Sequence, residues 1–326
     1  MTRPSGGDAA EPLVSVLIPV YNGERFLEEA IASVRAQTYG NWRLVITDNA
    51  SSDATPDIAR AHAREDDRIV LRTHVEFLPV YGNFNRAYGS AEPGSSYVKF
   101  LCADDVLYPE CLRLMVGVGE RHPTVGLVSA HRHNGDQLDI GGVPIGEERI
   151  DGALAARRLL MGGTYGFLFG SPTSILLRAG LPHRSGPFDE GLLHADTDLG
   201  YAVLAESDLG FVHQVLTYTR RHSAAITSYA SRMSTYRPEY IRILRRWGPL
   251  FLSPADYERR LAVLTVLYGR DLLGRPRRLA DQDFRAYHRE AARVALEGEA
   301  MRVGRGLARQ AGRSTRRVAA KVAGRP

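Results

Sequence analysis

The sequence is short of cysteine and of long apolar runs. Cys102 and Cys111 are its only two cysteines in 326 residues. That excludes a disulfide framework and a cysteine-ligated metal centre. No apolar run approaches about 18 residues, so no membrane-spanning helix is expected. The first ten residues, Met1 to Ala10, lack the apolar core of a secretion signal. With residue 11 they are expected to form a flexible leader. Few cysteines and no such signal fit a reducing cytoplasm. Two phosphate and nucleophile signatures are missing as well. The turn from Val20 to Phe26 holds one glycine, not the spaced three that bring a backbone against a pyrophosphate. No G-x-x-x-x-G-K-S/T occurs anywhere, and Gly166 to Ser171 makes no Gly-x-Ser-x-Gly elbow. A diphosphate, if bound, must be met by something other than a glycine cradle, such as a metal ion. Acidic residues are absent from 301–326, which carry eight basic ones. The net charge of +5 less the +8 of this tail leaves −3 for the rest. The body therefore gives no argument for nucleic-acid binding.

What is present is a globular composition, 44% hydrophobic and 24% charged, enough for one large α/β domain with an appendage. Strands are expected at Val14–Pro19, Arg43–Thr47, Ile69–Arg72, Tyr97–Cys102, Val125–Ala130, Thr173–Leu177 and Gly210–Tyr218. Helices are expected at Glu24–Gln37, Thr55–Arg64, Phe84–Ser90, Glu110–Arg121, Ala153–Leu160 and Asp198–Glu206. His131–Arg149 reads as a polar, Gly-rich connector, and Gly186–Asp198 as an acidic loop. After Tyr236 only helices are expected, at Ile241–Trp247, Ala255–Leu273 and Phe284–Leu296. The alternation predicts an α/β fold with a mostly parallel sheet and right-handed crossovers.

In such sheets ligands lie beyond the carboxyl ends of strands. Three strands deliver polar residues there: Tyr21-Asn22, Asp48-Asn49 and Asp104-Asp105. Adjacent carboxylates repel one another and need a cation or full solvation. Each Asp has a plainer reading as a turn or helix-cap residue. It is the convergence of the three strand ends that favours a site.

These residues resemble glycosyltransferase family 2, the inverting enzymes of the GT-A fold. The resemblance rests on Val14-Ser-Val-Leu-Ile-Pro-Val-Tyr-Asn22, on the segment from Ala36 to Asp53, and on Phe100-Leu-Cys-Ala-Asp-Asp-Val-Leu107, which is similar to the family's Asp-x-Asp-type metal motif. It continues in Phe188-Asp-Glu-Gly-Leu-Leu-His-Ala-Asp196-Thr-Asp198-Leu and in Leu216-Thr-Tyr-Thr-Arg-Arg-His222. It covers about residues 12–225. It implies that Pro19, Tyr21, Asn22, Asp48, Asn83 and Asp104 border the nucleotide sugar, with Asp48 receiving the base. It also implies that Asp105, with Asp104 and His222, holds Mn²⁺ or Mg²⁺. Asp196 would be the general base, with Asp198 competing because Ala195 replaces an acid common in the family. Asn49 likewise replaces a common Asp.

The resemblance thus implies a GT-A-type sheet flanked by helices over 12–233; the helical pattern gives a C-terminal all-helical region over 234–300, and the charge a basic tail over 301–326. The implied activity is metal-dependent, inverting and hexosyltransferase-type. It would move a sugar from a nucleoside-diphosphate sugar to an acceptor hydroxyl on a glycan, glycolipid or small molecule, in cell-surface polysaccharide, glycolipid or natural-product assembly. The alternatives are a sugar-phosphate nucleotidyltransferase, betrayed by pyrophosphate release, and a non-catalytic scaffold that binds sugar nucleotides. Acceptor choice would lie in Arg132–Ile150, Ser171–Gly191 and the C-terminal helices. The expected location is cytoplasmic, with the tail reaching an anionic inner membrane face. A chain ending at Glu299 should then lose most of its partition onto anionic vesicles in a sedimentation assay. Equal partition by the shortened chain would remove the tail as an anchor.

Overall fold

The computed structural model describes residues 11–139, 141–162, 168–180, 187–223, 225–274 and 278–295. The leader up to residue 10, residues 181–186 of the acceptor segment and the basic tail lie outside the described residues. The chain divides into two compact units, Met1–Arg221 and His222–Pro326.

In the first unit β1 (Val14–Val20) is buried along its whole length. It is a central strand, paired in parallel with β2 (Trp42–Asn49) and, further on, with Tyr97–Phe100. An apolar run this continuous is what burial on both faces requires. Between β1 and β2, α1 (Leu27–Arg35) buries Leu27, Ala30, Ile31 and Val34 on one stripe. It starts three residues later than the apolar periodicity predicts. Gly23 and Glu24 are held in a turn, their N–H groups donating to Thr55 Oγ1 at 2.7 Å and Asp53 Oδ2 at 3.1 Å. After α2 (Thr55–Glu65) comes β3 (Ile69–His74), parallel to β2. Then α3 (Val80–Tyr88) packs on β1 and β2 and leads to β4 (Tyr97–Phe100). The short β5 (Val106–Leu107) and α4 (Cys111–Arg121) follow.

β6 spans Val125–Asn134, four residues beyond the expected strand. The segment read as a polar connector begins as strand because Gly135-Asp136 closes a two-residue hairpin onto β7 (Gln137–Asp139), with Gly135 at φ 63°. Left-handed backbone in a tight hairpin favours glycine. β8 (Arg149–Ile150) and α5 (Gly152–Leu160) follow. A 3-10 turn at Pro172–Ser174 feeds β9 (Ile175–Arg178), then come α6 (Ala195–Leu204) and β10 (Asp208–Thr219). The sheet has ten strands in the order β3-β2-β1-β4-β9-β6-β10-β5, with β7 on β6 and β8 on β10. The block β3-β2-β1-β4 and the β6–β10 pair are parallel, while β9 runs antiparallel to both its neighbours.

The second unit holds α7 (Ile226–Met233), α8 (Tyr236–Phe251), α9 (Pro254–Leu273) and α10 (Gln282–Ala295), and no strand among its described residues. The sequence pattern had not marked α7. Ser253 caps α9 by accepting from Asp256 N–H at 3.2 Å. Buried His288 lies between helices, its Nε2 donating to the Met233 carbonyl at 2.8 Å and its Nδ1 accepting from the Tyr268 hydroxyl at 2.8 Å. Among the described residues no helix is long and apolar enough to cross a membrane.

One close approach inside the first unit is at α6. A Cβ on Gly200 would stand 2.6 Å from the Phe169 ring. Gly200→Val should therefore cost about 1–3 kcal/mol through overpacking, since helix propensity returns only a few tenths. A thermal unfolding midpoint at or above wild type would show that the ring yields freely.

Candidate active site

β4 ends at Phe100, and a short turn lifts Asp104 and Asp105 off the sheet. Asp105 is 2% exposed. Its Oδ2 accepts from Thr173 Oγ1 at 2.6 Å and its Oδ1 from the Arg220 N–H at 3.0 Å. The Arg220 side chain donates Nε–H to the Asp104 carbonyl at 3.0 Å and pairs with Glu29 at 2.5 Å. Burial, reinforced by the neighbouring Asp104 carboxylate, pushes Asp105 up to about 7. Thr173, the Arg220 N–H and the Arg132 charge pull the other way.

A carboxylate oxygen of each aspartate and the Cys102 sulfur lie within 4.8 Å of one another. The Cys102 thiol is held protonated, first by burial and then by the charges of Asp105 and Asp104. The donors this leaves are two hard carboxylates, which suit Mg²⁺ or Mn²⁺ rather than a thiolate-seeking metal. The residues therefore fit a divalent cation, and two like charges held this close gain most from one.

Asp196 and Asp198 lie in the first turn of α6, not ahead of it. The helix opens at Ala195 because the His194 carbonyl accepts from the N–H groups of Thr197 and Asp198, each at 3.2 Å. Two carboxylates in the first turn also suit the positive end of the helix. Asp198 is 4% exposed. Asp196 is half-buried, its Oδ1 accepting from the Thr197 N–H at 2.8 Å. Burial raises its pKa, against the pull of His194, the Thr197 N–H and Arg132. Its charge acts on the Cys102 thiol together with both aspartates, and Arg132 draws down both Asp105 and Asp196.

The segment bearing Asp196 is fastened to α3. Asn85 holds Phe188 in both directions, donating to its carbonyl at 2.9 Å and accepting from its N–H at 2.9 Å. Tyr81 stacks on Phe188 at 5.3 Å and donates to the Leu193 carbonyl at 3.0 Å.

At the other end of the sheet edge, Pro19 lies beside Thr47 and Val20 beside Asp48 in the β1–β2 register. Asp48 is 3% exposed and accepts from the Ser51 N–H at 3.3 Å. Tyr21 is half exposed, with the Phe77 ring edge-on at 4.8 Å. Asn22 adopts φ 50° and laces the two turns together, donating N–H to Ser51 Oγ and accepting from the Ser52 N–H, each at 2.9 Å. Asp53 belongs to the same lacing. Burial works to raise its carboxyl, but hydrogen bonds from Thr55 and Glu24 hold it below the usual range. Asn83 is 5% exposed, and its Oδ1 has no protein partner among the described residues. Asn49 binds Leu78 in both directions, Nδ2 donating to its carbonyl at 2.8 Å and Oδ1 accepting from its N–H at 3.0 Å. A carboxylate could not donate there, which accounts physically for an amide at that position. His222 opens the second unit, where its carbonyl accepts from Ser228 Oγ at 2.8 Å.

Thr173, Arg220, Arg132 and Tyr81 touch or act on the carboxylates, and none was assigned a role from sequence. Thr173 and Arg220 lie far along the chain from Asp105, so no local spacing marks them. Arg132 was legible only as part of a supposed connector and of the segment expected to choose the acceptor.

Residues 15–170 match the model of glycosyl transferase family 2. An uncharacterised glycosyltransferase of Rickettsia typhi is 27% identical over 241 residues, covering 67% of each chain. Among solved structures, the first 349 residues of S. aureus TarS in complex with UDP-GlcNAc superpose with a TM-score of 0.59 at 18% identity, covering 82% of this chain and 75% of that one. A mannosyltransferase from Pyrobaculum calidifontis, solved with GDP-Man and Mn²⁺, gives 0.55 at 15% identity and covers 88% and 86%. These neighbours share the GT-A fold.

The raised Asp105 carboxyl sets a pH dependence. Its folded pKa lies above that of the unfolded chain, so it stabilises the metal-free fold below the unfolded value, and that contribution is lost as pH rises through about 7. A cation needs the ionised form, so its binding runs the opposite way. Mn²⁺ affinity should fall about tenfold per pH unit below that pKa. Calorimetric titration at pH 5.5, 6.5 and 7.5 checks this, and a flat profile would contradict it.

Proposed function

We propose that this chain, whose residues 15–170 match the model of glycosyl transferase family 2, transfers a sugar from a nucleoside-diphosphate sugar to an acceptor hydroxyl with inversion. The observation that carries this reading is that Asp104, Asp105 and the Cys102 sulfur converge within 4.8 Å beyond the end of β4, while Asp196 opens α6 on a segment fastened to α3.

Asp104 and Asp105 would hold a divalent cation; the bound ion would neutralise charge on the leaving diphosphate. Asp48 would accept an N–H of the base, and Pro19, Asn22 and Asn83 would border the nucleoside, Asn83 offering an unpartnered acceptor. Tyr21, with Phe77 against it, offers exposed aromatic surface at that end. Asp196 would take the proton of the acceptor hydroxyl. The oxygen then bonds to the anomeric carbon while the bond to the diphosphate breaks on the opposite side. A raised carboxyl suits a base that must hold a proton near neutral pH. Its partial exposure leaves it reachable, whereas Asp198 is 4% exposed, which supports Asp196 over Asp198. The donors in the neighbouring structures, UDP-GlcNAc and GDP-Man, define the panel to try.

Asp105→Ala should abolish nucleoside-diphosphate release from that panel with Mn²⁺ present, and full activity in EDTA would sink the cation's role. Asp196→Asn, nearly isosteric, should lower kcat by about 10²–10⁴. Unchanged turnover would move the base to Asp198. Release of pyrophosphate instead of a nucleoside diphosphate would replace the whole reading with nucleotidyl transfer.

A further inference from the structure

Lys99 lies within β4 and has none of its surface exposed. Lysine is rarely buried in this way, because its charge must leave water. Its Nζ donates to the Thr173 carbonyl at 2.6 Å and the Ile175 carbonyl at 3.1 Å, and faces the Met115 sulfur at 3.6 Å. None of the three partners can donate back, so all three are served only by an ammonium with three hydrogens. Burial works against that charge, while Cys111, Asp105 and Cys102 favour it. Methionine would fill the same space in this strand without desolvating an ion.

The residue Lys99 grips is the one that grips the candidate cation ligand. Thr173 gives its carbonyl to Lys99, its hydroxyl hydrogen to Asp105 Oδ2 at 2.6 Å and its hydroxyl lone pair to the Cys102 N–H at 3.0 Å. Ile175, the second carbonyl on Lys99, opens β9. The ammonium thus ties β4 to the 3-10 turn ahead of β9 and sets where the Thr173 hydroxyl stands.

We propose that Lys99 is a positioning residue for the cation site, acting through Thr173 to hold the Asp105 carboxylate in place. This rests on the reading of Asp105 as a cation ligand. Lys99 does not touch substrate or ion. It acts in series with Thr173, and that arrangement predicts how the two substitutions combine.

The experiment is Mn²⁺ titration of the full chain by calorimetry, with circular dichroism to select folded variants. Lys99→Met and Thr173→Val should each weaken Mn²⁺ binding roughly 10–100-fold, the usual effect of removing a group that orients a ligand. Thr173→Ser, which keeps the hydroxyl, should bind Mn²⁺ within about threefold of wild type. The double variant should be no worse than the weaker single one, since both break one chain of contacts. Should Lys99→Met fail to fold, Lys99→Gln, which keeps a donor without the charge, replaces it. A folded Lys99 variant with wild-type Mn²⁺ affinity overturns the proposal, as does full additivity with Thr173→Val. Wild-type protein that binds no Mn²⁺ would fail at the earlier step and overturn the reading of Asp105 along with the inference.

Discussion

Two carboxylates forced side by side at the edge of a dry sheet are the constraint that organises the first unit. Asp105 is 2% exposed and directly follows Asp104. Left alone it would take up a proton, and burial drives it that way. Each oxygen instead meets a donor, Thr173 on one side and the Arg220 N–H on the other. Arg132 adds a positive charge that acts on it from β6, and Lys99 holds the Thr173 that donates to it. These groups come from four separate stretches of chain. Their meeting depends on β9 lying between β4 and β6, antiparallel to both, because that brings the Pro172–Ser174 turn to the end of β4.

A second dependence runs through α3. One short helix packs on β1 and β2 and also carries the residues that fasten the Asp196 segment. Asn85 grips the Phe188 backbone, Tyr81 stacks on its ring, and Phe84 and Phe100 each pack on it at 5.2 Å. Gly82 lies on the same helix, where a Cβ would stand 3.2 Å from the Glu190 carboxylate. The proposed base and the proposed nucleotide-binding turns are thereby referred to a common rigid element, with Asn83 between the anchoring residues. A helix fixed at both faces suits a reaction that needs its groups held to fractions of an ångström.

Much of this was legible before folding. Apolar runs with period-two or continuous burial marked β1, β2, β4 and β10, and the glycine and Asp-rich breaks between them marked where polar groups would gather. The elements that escaped had a different physical origin. β6 runs on past Ala130 because of a hairpin whose signal, Gly135-Asp136, is present but was outweighed by the polar residues around it. α1 starts late because the N–H groups ahead of it are spent on Asp53 and Thr55, thirty residues away. Asn49 was visible as a departure from a familiar pair of acids, but its reason, an amide bonded both ways to Leu78, appears only once the β3–α3 loop is in place.

The sequence by itself determined the alternation of strands and helices, the parallel block around β1 and the positions of Asp48, Asp104 and Asp105 at strand ends, because hydrophobic periodicity and turn chemistry are local. Only the tertiary structure decided which groups surround those carboxylates. Thr173, Arg220, Arg132 and Lys99 act on Asp105 across the sheet, and Tyr81 and Asn85 reach Asp196's segment from over a hundred residues away. Desolvation and charge coupling depend on distance in space, and that distance exists only after the sheet has closed over them.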